Sequence, residues 1–315
     1  MLGMFTRRVA ASILTALLST LVVFFLVRAV PGNVVQQMLG QSSDPAAEHA
    51  LRDFFGMNRP LHTQYVDWLD GAVHGNLGTA WVSGQGVATL VGHAVLVTLE
   101  LAFLTLILAT VIGVPLGLIA GIREGKVVDS VVQGFTVIGL STPIFWLGIM
   151  LLIGVSALLG WSPPLSYESP TGNLATNLQI MILPILSLAL LQAAAYAQFV
   201  RQAVVSEVGE QYVTTARAKG LPETKVLFKH IFRNILVQLI TFQGLLLLQI
   251  LGGAVIIESV FGLPGLGRLL LTSINARDYP VVQGGLLIIV LLALIINLGI
   301  DLLYRVIDPR LKAES

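Results

Sequence analysis

Six long apolar runs, none containing lysine or arginine, organise the chain: residues 9–27, 94–122, 131–159, 178–200, 235–257 and 281–304. A helix needs roughly 20 mainly apolar residues to cross about 30 Å of hydrocarbon. The pattern therefore predicts six transmembrane helices. The missing cations fit a bilayer, where each costs about 2.5–3.5 kcal/mol at a helix centre. Two acids fall inside the runs, Glu100 near the start of the second and Asp301 near the end of the sixth. Arg7 and Arg8 give the first run the look of a signal peptide. It is longer than the usual apolar segment of about 7–15 residues and no A-x-A site follows, so it reads as a retained helix.

Between the runs the pattern changes. Residues 28–93 are polar, with Asp44-Pro45, Arg59-Pro60 and amphipathic spacing around Tyr65, Trp68 and Leu69. Short helices at the membrane surface are expected there, with Trp68 and Trp81 as interface anchors. Residues 160–177 are rich in Ser, Pro and Gly. Gly262-Leu-Pro-Gly-Leu-Gly267 has no strand before it, so it is no nucleotide fingerprint and suits a tight re-entrant turn. Gly113, Gly117 and Gly121 lie four apart on one helix face, where a neighbouring helix can come close. Pro115 and Pro143 each remove a backbone donor inside a span. Packing is the first reading of all five residues, and a gate that bends at Pro143 is the alternative.

Composition narrows the class. Of 315 residues, 55% are hydrophobic and 11% charged, and 18 basic against 17 acidic residues leave a net charge of +1. Soluble domains carry about 25% charged residues, so the composition argues for a membrane protein and against a disordered chain, a nucleic-acid binder or a cytosolic enzyme. With no cysteine, disulfides and thiolate chemistry are excluded too. With both termini in the cytoplasm, 13 of the 18 basic residues fall inside, and Arg28, Arg52, Arg59, Arg268 and Arg277 outside. The positive-inside rule supports that sense.

The longest inside loop, residues 201–233, predicts two short helices. Gly220 fits a helix C-terminus and Pro222 the first position of the next, with a sharp turn at Gly220-Leu221. In the second helix Val226, Leu227, Ile231 and Phe232 keep apolar helical spacing, with Lys225, Lys229, His230 and Arg233 filling most of the rest. Two readings follow from the residues: a basic amphipathic segment on the headgroups, or a small-residue knob for a groove on a soluble partner.

Tyr212-Val-x-x-Ala-Arg-Ala-Lys-Gly-Leu221 resembles the EAA loop of bacterial ABC importer permeases, most closely the B-type membrane subunit of dipeptide and oligopeptide importers. The resemblance covers nearly the whole chain. Phe5-Thr-Arg-Arg8 with Pro31-Gly32, Arg59-Pro-Leu-His-Thr-Gln-Tyr-Val-Asp-Trp-Leu69 with Gly75-Asn-Leu-Gly78, and Ser141-Thr-Pro-Ile-Phe-Trp-Leu-Gly148 carry it in order. Glu258-Ser-Val-Phe-Gly-Leu-Pro-Gly-Leu-Gly267, Arg277-Asp-Tyr-Pro280 and Asp308-Pro-Arg-Leu311 complete it. Four positions depart from the family pattern: Thr214 and Thr215 stand for the acid and first alanine of the loop, Gln238 for a proline after it, and Asn33 for a frequent aspartate.

The resemblance implies an all-α type I importer fold in a bacterial inner membrane, six helices with both termini cytoplasmic, and no cofactor or metal. It divides the chain into residues 1–93 (first helix and extracytoplasmic segment), 94–305 (five-helix core with coupling loop 201–234) and 306–315 (tail). Implied partners are a second homologous permease, one or two ATP-binding subunits, an extracytoplasmic substrate-binding protein and the bilayer, with no nucleic acid. The chain lacks its own Walker A motif, since Ala120 and Val127 occupy positions that need Gly and Ser or Thr around Gly125-Lys126. ATP hydrolysis is thus assigned to partner subunits. Thr215, Ala216, Arg217, Ala218, Lys219, Gly220, Leu221 and Pro222 become the ATPase-coupling residues, a rigid knob in which Ala216 and Ala218 allow close approach.

Glu100, Ser141, Pro143 and Glu258 are the gate or path candidates, with Glu258 placed to lock an outer gate. Asp70, Asp278 and Glu258 are candidates to meet the binding protein, against ordinary solvated loop charge. Asn297, Asp301 and Arg305 share a face at i, i+4 spacing and look structural. Two other classes make different demands on the sequence. An ion-coupled carrier acting alone needs mid-depth acids and an internal repeat. A membrane enzyme needs motifs that are absent, and His49, His62, His74, His93 and His230 lack ligand spacing. Dipeptides, longer peptides, glutathione and nickel chelates are all compatible substrates.

Overall fold

The computed structural model describes residues 2–29, 34–39 and 44–307. Pro31-Gly32, Asn33 and Asp308-Pro-Arg-Leu311 lie outside them, as do the side chains of Phe5-Thr-Arg-Arg8, Asp301 and Arg305. The helices are α1 (Leu2–Ala29), α2 (Val34–Leu39), α3 (Pro45–Phe54), α4 (Leu61–Val73), α5 (Val87–Ile122), α6 (Val127–Ser141) and α7 (Ile144–Leu159). They continue with α8 (Leu174–Val208), α9 (Gln211–Ala218), α10 (Glu223–Lys225), a π-helical turn (Val226–Ile231), α11 (Phe232–Phe261), α12 (Leu266–Asn275) and α13 (Tyr279–Ile307). Among the described residues five helices are long and apolar enough to cross a membrane, and a sixth is reached if one bent helix pair is counted as a single span.

That pair is the third apolar run, which does not form one straight helix. α6 and α7 meet at 103°. Thr142 is extended (φ −84°, ψ 124°) because the residue before a proline avoids the helical region, and Pro143 has no N–H to continue the ladder. Ser141 and Pro143 are exposed at this bend.

The chain forms two compact units, one of Met1–Val97 and Pro264–Ile295, the other of Thr98–Leu263 and Ile296–Glu314. In the first, the expected short helices are present as α2, α3 and α4. Asp44 caps α3 through the Ala46 N–H at 3.0 Å, with Pro45 in the first turn. The core gathers Val27, Leu77, Val87, Val91, Leu266, Leu270 and Tyr279. Trp81 packs half-buried against this core, its ring 4.8 Å from that of Phe55 and 5.3 Å from that of Tyr279. Asp278 is buried too. Its carboxylate accepts the backbone N–H groups of Trp81 and Val82, both at 3.0 Å, so it is not the exposed loop charge that the sequence suggests.

The second unit is built on α8. Two-thirds (67%) of its most apolar stretch is buried, against 33% for α5 and 28% for the helix ending at Phe261. Gly113, Gly117 and Gly121 lie directly on α8, against Tyr196, Val200 and Val204. Gly139 of α6 meets Ala194 in the same way. These contacts are the packing that the four-residue glycine spacing predicts. Both long helices carry an internal proline, Pro115 in α5 and Pro184 in α8, without breaking.

Candidate functional site

The coupling loop is shorter, and its flanks longer, than the sequence suggests. α8 runs past the last apolar residue of its span to Val208, and helical structure resumes at Glu223 and continues to Phe261. Only Gly209-Glu210 and Lys219–Pro222 are non-helical within the loop. Gln238 sits inside continuous α11.

Gly220 makes the turn. It has φ +75°, a left-handed conformation that costs an L-residue about 1–2 kcal/mol. Its N–H donates to the Arg217 carbonyl at 2.9 Å, and the Leu221 N–H to the Ala216 carbonyl at 3.4 Å. This is the Schellman closure that satisfies two end carbonyls of α9. Pro222 stands one position earlier than expected, as the N-cap of α10. Across the turn Arg217 forms a two-pronged ion pair with Glu223, Nε to Oε1 at 2.8 Å and Nη2 to Oε2 at 3.2 Å.

One face of this loop is fastened to the bundle. Val213 and Ala216 are buried with Val204, Val226, Ile231 and Ile235. Val226 and Ile231 are five residues apart, one turn of π-helix, so the wider turn lets both reach the core. Ala216 thus seats the loop on its own protein, while Thr215, Arg217, Ala218, Lys219, Gly220 and Pro222 are exposed and Leu221 is half-buried. Tyr212 donates its hydroxyl to Glu207. Burial, then that carboxylate, pushes the phenol up to about 12, so it stays a donor at neutral pH.

The root of the loop is an ion pair that local sequence pattern does not signal, because 72 residues separate its members. Arg201 on α8 meets Asp129 on α6, Nε to Oδ1 at 2.5 Å and Nη2 to Oδ2 at 2.8 Å. The Gly125 N–H donates to the same carboxylate at 2.9 Å, and Glu124 lies 3.8 Å from the guanidinium.

The outer candidates have separate partners. Glu258 is fully buried at the end of α11 and accepts the Thr98 hydroxyl of α5 at 2.5 Å. Glu100 accepts the Tyr167 hydroxyl at 2.7 Å, tying the α7–α8 loop to α5. Burial and Glu100 raise the Tyr167 phenol well above its usual range. Ser141 and Pro143 stay at the α6–α7 bend. Asp70 is exposed beside His74. Among the described residues no group of three His, Asp or Glu side chains converges to hold a metal ion.

The Arg217–Glu223 pair is half-exposed, so its contribution is small, about 0.5–1 kcal/mol. Glu223→Ala is expected to leave the fold intact and to speed hydrogen exchange at the Gly220 and Leu221 amides several-fold. Unchanged exchange would mean that the pair does not brace the turn.

Residues 113–313 match the family described as binding-protein-dependent transport system inner membrane component, and residues 1–111 match its N-terminal companion. The di/tripeptide transport system permease protein DppB of Pseudomonas aeruginosa is 34% identical over 335 residues, covering all of both chains. The dipeptide transport system permease protein DppB of Escherichia coli is 34% identical over 339 residues, again covering all of both. Among solved structures, an inward-facing MetNI methionine ABC transporter chain aligns with TM-score 0.53 and 19% identity, covering 70% of this chain and 96% of that one. A chain from an amino acid ABC transporter gives TM-score 0.53 and 18% identity, covering 70% and 94%.

Proposed function

The chain belongs to the family of binding-protein-dependent transport system inner membrane components, and from that premise we propose that it is the permease subunit of an ATP-driven peptide importer. Full-length likeness to two peptide permeases carries the substrate class. The polypeptide forms half of the translocation path, a second permease the other half, and separate ATP-binding subunits supply the energy. A binding protein outside delivers the peptide.

The coupling residues suit this division of labour. The exposed tip from Arg217 to Pro222 enters a groove on the ATP-binding subunit. α10, the π-turn and α11 form one helical rod from Glu223 to Phe261. A displacement at the tip is thereby carried along the whole rod, and the buried Val213–Ala216 face prevents the tip from swinging independently. Near the far end of the same rod Glu258 accepts the Thr98 hydroxyl, a bond suited to locking an outer gate. In this reading movement at the inner end opens the outer one.

Gly220→Leu tests the coupling. The leucine must adopt a left-handed backbone at the tip, so the turn relaxes and the knob no longer matches its groove. The expected result is a complex that still assembles, with peptide uptake into proteoliposomes reduced at least tenfold while ATP hydrolysis persists. Normal uptake with normal assembly would defeat the coupling assignment.

A further inference from the structure

Two glutamines of the second compact unit sit where a bilayer tolerates amides least. Gln192 lies on α8 and Gln249 on α11, each three residues from the midpoint of its apolar run, 178–200 and 235–257. At about 1.5 Å per residue, each stands about 4.5 Å from the middle of its span. The two helices are antiparallel and in register. A β-carbon on Gly253 would lie 3.1 Å from Leu188, and Phe199 stacks on Phe242 with ring centroids 4.1 Å apart. Eleven residues separate the two contacts on each helix. Gln192 is four residues past Leu188 and Gln249 four before Gly253, so both stand at the same level between those contacts. Helical spacing also puts each on the side of its helix that carries them. Gln249 is exposed and Gln192 half-buried, and neither carboxamide has a hydrogen-bond partner among the described residues. Gln243, on the same helix as Gln249, is by contrast tied to the Thr110 hydroxyl at 3.1 Å. The exposed positions of α5 between Leu96 and Ile119 are all apolar, as contact with lipid requires. The α8–α11 edge departs from that pattern. Polar side chains at this depth face a bundle interior or a water-filled cavity, because hydrocarbon offers no hydrogen bonds.

We propose that Gln192 and Gln249 form a subsite of the translocation path that holds a passing peptide by its backbone amides. The inference deepens the importer reading and rests on it, since that reading supplies both the path and the peptide. A carboxamide carries N–H donors and a carbonyl acceptor, the complement of a peptide group. Two carboxamides at one level accept a backbone N–H and donate to a backbone carbonyl together. The side chains of the cargo are left unread, so the subsite suits peptides of varied sequence. Hydrogen bonds between neutral groups are weaker than charge-assisted ones, so the cargo is also released.

The test uses the complete transporter with its binding protein in proteoliposomes. The probes are trialanine and an analogue with one amide replaced by an ester, each at a concentration that saturates the binding protein. Wild-type uptake of trialanine is expected to exceed that of the ester at least threefold. The double variant Gln192→Leu with Gln249→Leu is expected to take up trialanine at least fivefold more slowly and to treat the two probes alike. Its yield, subunit content and basal ATP hydrolysis should match wild type, because leucine suits a bilayer. Trialanine uptake within twofold of wild type in the double variant overturns the proposal. So does slowed uptake with the amide preference intact, which makes the pair a structural contact, and so does a wild type with no amide preference. Loss of the second permease from the purified double variant overturns it as well and assigns both amides to the subunit interface. If the wild-type complex takes up neither trialanine nor a mixed pool of di- to pentapeptides, the importer reading itself fails and the subsite falls with it.

Discussion

Gly117→Leu is expected to leave essentially no assembled protein in the membrane. A β-carbon at this position would lie 2.5 Å from the Val200 β-carbon and 2.6 Å from the Ala197 carbonyl oxygen. Neither can step aside, since both are fixed on the α8 backbone, and α8 is the most buried helix of its unit. Gly113 and Gly121 hold the same interface one turn away on either side, with contacts of 2.8 Å to Tyr196 and 2.7 Å to Val204. Relief therefore requires α5 to lift from α8 over three turns. Overpacking a core commonly costs about 1–3 kcal/mol, and a clash between two helix backbones exceeds that range. Membrane-fraction yield and the thermal midpoint of detergent-extracted protein check this. Gly134→Ala, at a glycine with open space around its missing β-carbon, provides the comparison and should be tolerated. Wild-type yield and midpoint for the leucine variant would show that α5 and α8 are not in the described contact.

This interface was legible in the sequence because small residues at a four-residue interval have one geometric consequence on a helix. The apolar spans were legible for a similar reason, since the bilayer enforces length and composition together. The 103° break was visible only as an option. A proline inside a span removes a donor, but neighbouring contacts decide between a mild kink and a corner. Pro115 and Pro184 remain within unbroken helices, whereas Thr142-Pro143 ends one. Asp278 reads as a solvated or partner-facing loop acid because it is a charged residue in a polar segment, yet it is buried. Its burial depends on the α12–α13 link meeting the Trp81 and Val82 amides, nearly 200 positions earlier, and no local pattern carries that information.

The coupling turn shows the same division. Gly220 announces a left-handed C-terminal position and Pro222 a restart, so the turn was located nearly to the residue. The direction of each side chain was not. Ala216 was assigned to a partner contact on the strength of its size, yet it faces the bundle beside Val213. The π-turn escaped notice because Val226 and Ile231, five apart, fit neither the three- nor the four-residue step of an α-helix. Glu223 lies six residues from Arg217, a spacing that pairs side chains on neither helix, and only the closed turn brings the two together.

Arg201→Gln is expected to cost about 3–5 kcal/mol, the penalty for leaving a buried charge without its partner. Asp129→Asn should cost less, and the asymmetry follows from exposure. The Asp129 side chain is 2% exposed and depends on Arg201 for its counter-charge, while the Arg201 side chain is 19% exposed and keeps Glu124 nearby. Asparagine also retains an oxygen for the Gly125 N–H. The double variant removes both charges at once, so its thermal midpoint should recover most of what Arg201→Gln loses. Transport should not recover with it. The pair fixes α6, and hence the bent α6–α7 segment, to the helix that leads into α9 and the knob. In the proposed coupling, a neutral pair packs but does not resist a force arriving through the knob. Thermal midpoints of the purified complex and initial rates of peptide uptake, measured on all three variants, separate stability from force transmission. Equal midpoints for the two single variants would refute the exposure argument. Full uptake by the double variant would reduce the ion pair to a structural contact with no part in carrying the stroke.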